Sequence, residues 1–212
     1  MGTAQYGVAF SLGGLSIQQT INRTVDHPNG FGPITLAVAQ PAILTTRTSD
    51  TAGTITMDSG GHTITTAAII DIYDNVGGTV SYDATVGTVS GTSVPFTLAK
   101  GDVLPIATSV IAVALRTTIN TTIDGDAIVM IGIEAKSTDA SSTTAAHLQF
   151  DDTGAAEIAE IDLVANVPKI WDITGGDTNV FTGNPITACY ASNGSLTETL
   201  NLSILSGEDS TP

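Results

Sequence analysis

The chain has 212 residues and carries six Lys and Arg against 21 Asp and Glu, a formal net charge of −15 with a sequence pI near 4.1. A surface of that sign repels phosphate, and the cations, Arg23, Arg47, Lys100, Arg116, Lys136 and Lys169, stand singly, which argues against nucleic acid and anionic membrane as partners. A mean hydropathy of +0.26 argues against a disordered chain, and the lone Cys189, in apolar surroundings, excludes an internal disulfide and reads as a buried, inert thiol.

Alternation with period two begins at once, as Tyr6, Val8, Phe10 and Leu12, and returns as Ile34, Leu36 and Val38 and then Ile55 and Met57. Such alternation predicts half-buried strands, and the abundant threonine suits them, because a β-branched side chain is stiff at χ1 and fits a pleated surface. Residues 26–33, DHPNGFGP, form a breaker cluster that predicts a long turn, and residues 49–53, SDTAG, close the next hairpin. The N-terminus, MGTAQYGVAFSLGG, has neither a basic region nor a continuous apolar run, so no signal peptide is expected and the product should stay in the cytoplasm where it is made.

Residues 61–98, GHTITTAAIIDIYDNVGGTVSYDATVGTVSGTSVPFTL, pack short apolar runs between Gly-rich turns with no room for a helix. Strands are predicted at 69–73, 80–86, 94–98 and 111–115, with Gly61, His62, Gly77 and Gly78 structuring turns. Short hairpins between antiparallel strands of this length curl into a small barrel-like module, since closure removes exposed edges.

Beyond it, 119–123 and 127–133 flank a turn at Asp124-Gly125-Asp126, where Gly125 supplies positive φ. The run 127–133, AIVMIGI, is apolar at every position and predicts a strand covered on both faces; Met130, Ile131, Ile133 and, further on, Trp171 are the candidates for packing or assembly. Strands follow at 148–150, 161–164, 170–173, 186–190 and 200–205, and no segment sustains a helical period. The predicted fold is all-β: an antiparallel, jelly-roll-like β-sandwich from residues 1–57 and 119–212, with 58–118 inserted as a small β-barrel-like module.

Site chemistry is sparse. None of His27, His62 and His147 has a second His, Cys or carboxylate at a ligand spacing of two to four residues on a rigid element, so His62 is expected to pin its turn by bonding backbone. Asp124 with Asp126 and Asp151 with Asp152 are acidic pairs where a structural cation is weighed against a turn, and neither continues into a calcium loop. Nucleophile elbows and phosphate-cradling glycine loops are absent, and no enzyme activity, cofactor or metal is predicted.

Gly61, His62, Ile64, Ile69, Asp71 and Tyr73 fall where a small β module recurrent in tailed-phage virion proteins has its Gly-His-Gly opening, aliphatic positions and Gly-Asp turn; residues 58–118 resemble that module. Thr63, Ala67 and Ala68 depart from the pattern. The resemblance implies a non-enzymatic virion structural protein, first an outer capsid decoration or cement protein of a tailed bacteriophage. The alternatives are a tail tube or other tail structural protein, and a surface adhesin or binding module. Its expected partners are copies of itself and other virion proteins, of the capsid or the tail, and its expected location is the virion, assembled in the host cytoplasm.

Overall fold

The computed structural model describes residues 2–12, 15–25, 27–74, 80–99, 103–123, 128–151, 157–172, 176, 181 and 186–208. Among them there is no helix. β1 (Gly2–Leu12) and β2 (Leu15–Val25) pair only with each other, as a two-stranded antiparallel sheet.

Eight strands make the sandwich: β3 (His27–Leu36), β10 (Thr117–Ile123), β11 (Ile128–Lys136), β12 (Ala145–Asp151), β13 (Glu157–Val164), β14 (Lys169–Asp172), β15 (Ile186–Asn193) and β16 (Leu200–Glu208). One sheet has the order β14-β11-β16-β3 and the other β10-β15-β12-β13. Counted along the chain, the first strand lies beside the eighth, the second beside the seventh, the third beside the sixth and the fourth beside the fifth. All are antiparallel, which is the wrap of a jelly roll. Between the sheets lie Leu36, Ile131, Ile133, Leu148, Leu163 and Leu202, and Phe150 meets Phe181 edge to face at 5.1 Å and 78°.

The remaining strands, β4 (Gln40–Arg47), β5 (Ala52–Met57), β6 (Ile69–Asp74), β7 (Val80–Val86), β8 (Ser93–Leu98) and β9 (Val110–Leu115), close into a six-stranded antiparallel barrel of order β4-β5-β8-β7-β6-β9. Alternation builds it. Leu44, Ile55, Val94 and Phe96 point inwards with Ile70, Ile72, Ile111 and Val113, while threonines take the outer face, where Thr45 Oγ1 meets Thr56 Oγ1 across the ladder at 3.1 Å. Gly53 pairs with Arg47 just beyond a bulge in β4, and an added Cβ there would stand 2.4 Å from the Thr46 carbonyl oxygen. The all-β fold with a barrel-like module follows from the alternation as expected.

Two expectations are corrected. Residues 40–57 belong to the barrel rather than to the sandwich, because β4 pairs with β9 as well as with β5 and thereby closes the ring. The barrel is thus inserted between the first and second jelly-roll strands and starts at Gln40 instead of after residue 57, while β1 and β2 lie outside both sandwich sheets. The breaker cluster 26–33 is not a turn from His27 onwards but part of β3. That strand is at the edge of its sheet, where Pro28 and Pro33 need supply no amide to a further strand, and a register shift opposite Leu202 and Ile204 absorbs the irregularity.

Candidate functional site

Two barrel strands break the alternation. In β6 and β9 four consecutive residues are buried, so both faces are covered: Ile70, Ile72, Ile111 and Val113 enter the barrel core, while Asp71, Tyr73, Ala112 and Ala114 face the jelly roll. Small side chains at Ala39, Ala112 and Ala114 allow close approach, and Tyr73 fills the joint. At Gly194 an added Cβ would stand 2.6 Å from Tyr73 Cδ1, so only glycine fits against that ring. The connections across the joint are short. The Ala39 amide donates to the Ser195 carbonyl at 2.7 Å, and Arg116 alone separates β9 from β10.

Arg116 organises the polar part of this seam. Its side chain is 4% exposed; Nε donates to Asp71 Oδ1 at 2.8 Å, and Nη1 donates to Asp83 Oδ1 and to Gln149 Oε1, the latter at 2.6 Å. Asp83 lies at a bulge of β7 with φ of +56°, a conformation Asp tolerates, and from there its amide donates to Asp71 Oδ1 at 3.1 Å. Ser192 Oγ donates to Asp71 Oδ2 at 2.5 Å, which leaves its oxygen to accept from the Tyr73 hydroxyl at 2.7 Å. Gln149 completes the chain by donating to Asp151 at 2.7 Å. Barrel residues 71, 73 and 83 are thereby tied to jelly-roll residues 149, 151 and 192.

Burial sets the electrostatics. It raises the Asp71 carboxyl above its ordinary pKa, against the opposing pull of Arg116 and the Ser192 hydrogen bond. Burial, with the Asp71 charge nearby, raises the Tyr73 phenol well above 10 and keeps it protonated. Nη2 of Arg116 is buried and has no hydrogen-bond partner among the described residues. The seam opens on a cleft of about 190 Å³ lined by Ile69, Asp83, Arg116, Gln149, Asp151 and Tyr190. Ser192, 1% exposed and bonded on both sides, presents no hydroxyl to a substrate.

The residues singled out from sequence are spread over the fold. Ile131 and Ile133 lie in the sandwich core on β11, which runs between β14 and β16; Met130 stands opposite Asp172 and Gly207, and Trp171 opposite Ile131. His62 Nε2 donates to the Gly91 carbonyl at 2.9 Å, tying the 59–63 turn to the 90–92 turn, and the Gly61 amide donates to Ser59 Oγ at 3.1 Å. Gly77, Gly78, Asp124, Gly125, Asp126 and Asp152 lie outside the described residues. Asp151 is buried in the seam rather than exposed in a cation loop. Burial pushes the Cys189 thiol up to about 12, in keeping with an inert thiol.

Sequence reading missed the seam and two other clusters. His147, fully buried, lies within 3.6 Å of Glu160 and 3.4 Å of Asp162, partners 13 and 15 residues away across the β12–β13 ladder. Carboxylate oxygens of Asp83, Glu157 and Glu160 come within 4.8 Å of one another. The available signal was a charge set among apolar residues, Asp71 in IIDIY and Arg116 after VIAVAL.

No family model, no curated protein and no solved structure matches this chain.

Proposed function

We propose that this is a non-enzymatic virion structural protein that packs in many copies on the outside of a capsid as a decoration or cement protein of a tailed bacteriophage. The observation that carries the reading is the jelly-roll wrap, a fold that viral capsid domains share with lectin domains, with a closed barrel fixed on it by a buried seam. The resemblance of residues 58–118 to a phage virion module supports it, as does a buried polar network that fixes the barrel on the jelly roll. An acidic, threonine-faced surface suits an outward position, since it stays soluble and repels packaged nucleic acid.

The test is negative-stain microscopy and co-sedimentation of the purified chain with empty phage capsids. Closed oligomers that sediment with capsids are expected. Stacked rings would transfer the protein to the tail tube, and a chain that ignores capsids and binds glycans instead would make it an adhesin.

A further inference from the structure

In the barrel, β6 and β9 turn residues outwards to the jelly roll. In ring order β5 stands opposite β6 and β8 opposite β9, so the outer face of β5 and β8 points away from the jelly roll. Pairing sets Val110 beside Ile43, Ile43 beside Thr56 and Thr56 beside Ser93, one row across β9, β4, β5 and β8. The turn before β9 adds Ile106, at 73% the most exposed large apolar side chain among the described residues. The Thr108 amide donates to the Leu44 carbonyl at 2.7 Å and so holds that turn beside β4. Ile43, Val103 and Val110 are exposed as well, and the β1–β2 hairpin lies elsewhere, against β3 and β16.

Charge selects the occupant of this face. Residues 40–57 and 84–115, which build it, hold Arg47, Asp50, Lys100 and Asp102 as their only charged residues and carry no net charge, so the whole −15 lies in the rest of the chain. Arg47 and Asp50 moreover pair with each other at 2.5 Å. A cationic partner gains nothing from a neutral face, because the field steers it to the acidic remainder. An acidic partner is repelled by that remainder within a Debye length, about 8 Å at physiological ionic strength, and comes closest where charge is absent. A second copy meets both conditions, being equally acidic and bringing the same uncharged face with its own apolar side chains.

From this neutral, partly apolar face we infer that the outer side of the barrel is a self-association surface. A second copy docks on it about a two-fold axis, so that Ile43, Ile106 and Val110 of each copy are covered by the other. Four strands about 4.8 Å apart and some six residues long make a face roughly 20 Å square. That is at the low end for a specific interface, so the contact forms at high local concentration, as between neighbouring copies in an assembly. The inference rests on exposure and charge within this chain and does not depend on capsid binding.

Sedimentation velocity on the full chain, from micromolar to millimolar concentration in low and high salt, tests it. Wild type forms dimers, and more of them as salt screens the charge carried elsewhere, the reverse of a contact held by ion pairs. Ile106→Glu raises the dissociation constant by about tenfold or more, as for an apolar anchor lost from an interface, and Val110→Glu acts likewise. Val167→Glu, a matched change at an exposed site between β13 and β14 of the jelly roll, leaves it unchanged. Circular dichroism stays that of wild type in each variant. A monomeric wild type, dimers that dissociate as salt rises, or equal weakening by Val167→Glu overturns the inference. So does a monomer that sediments with capsids and loses this on Ile106→Glu, which would give the face to the capsid. Dimers that ignore capsids would overturn the proposed function alone.

Discussion

Replacing Arg116 with Met removes the charge at the seam while keeping most of the side-chain volume. The guanidinium has hydrogen bonds to Asp71, Asp83 and Gln149 and is 4% exposed, while the Asp71 side chain is fully buried. Without it Asp71 keeps Ser192 Oγ at 2.5 Å and the Asp83 amide at 3.1 Å but loses its counter-charge. Breaking one side of a buried pair costs about 3–5 kcal/mol, or about 6–20 °C in Tm for a chain of this size. The cost depends on pH in a defined direction. Burial already raises the folded pKa of Asp71 above 3.8 with Arg116 present, and loss of Arg116 raises it further. Below the unfolded pKa the carboxyl is neutral in both states and needs no partner; as pH rises through the folded value, the uncompensated charge sets in. Urea unfolding followed by circular dichroism should show a large deficit for Arg116→Met at neutral pH and a smaller one in acid, and Asp71→Asn in the same chain should recover part of it. A deficit below about 1 kcal/mol, the scale of a surface pair, would refute the reasoning, as would a deficit independent of pH.

Gly194→Ala should cost about 1–3 kcal/mol by overpacking, because the new Cβ meets the Tyr73 ring at 2.6 and 2.9 Å while that ring is buried and its hydroxyl is held by Ser192; a thermal melt matching wild type would show that the seam is not tightly closed there. Glu198 accepts from the hydroxyls of Ser137, Ser142 and Thr144, which hold its carboxyl below the usual 4.5. Its stabilisation is present above the unfolded pKa and is lost as pH falls through the folded value, so Glu198→Gln should lower the urea midpoint at neutral pH and match wild type in strong acid; a difference that persists in acid would count against the clasp.

The parts of the fold legible in the sequence are those fixed by local periodicity. The burial patterns of β4, β5 and β8 repeat the alternation of their apolar residues, and the threonines between them face out. His62 was legible as a turn pin because a histidine among glycines has backbone within reach. A barrel was legible, but not that β4 closes it, since pairing of Ile43 with Val110 joins residues 67 apart and alternation carries no information about which strand lies alongside. The prolines of β3 misled for a related reason: their cost depends on whether a strand is at an edge, which only the finished sheet order decides. Arg116 escaped because a single cation looks solvated until Asp71, 45 residues earlier, is known to face it.

The make-up of the seam bears on what the barrel is for. An all-apolar joint would also hold two β units together, but it would tolerate sliding, because apolar contact has little directional preference. Here each polar member is fixed by geometry: Arg116 spans Asp71, Asp83 and Gln149, and Ser192 connects Asp71 to Tyr73. Any rotation of the barrel breaks several of these bonds together and leaves buried groups unpaired, at about 1–3 kcal/mol each. With Tyr73 against Gly194 and connectors this short, the barrel is held at one angle to the jelly roll. A binding module on a flexible stalk gains reach from a loose joint. The shell role proposed above needs the opposite, since copies that repeat can meet alike only if each presents its barrel in the same direction.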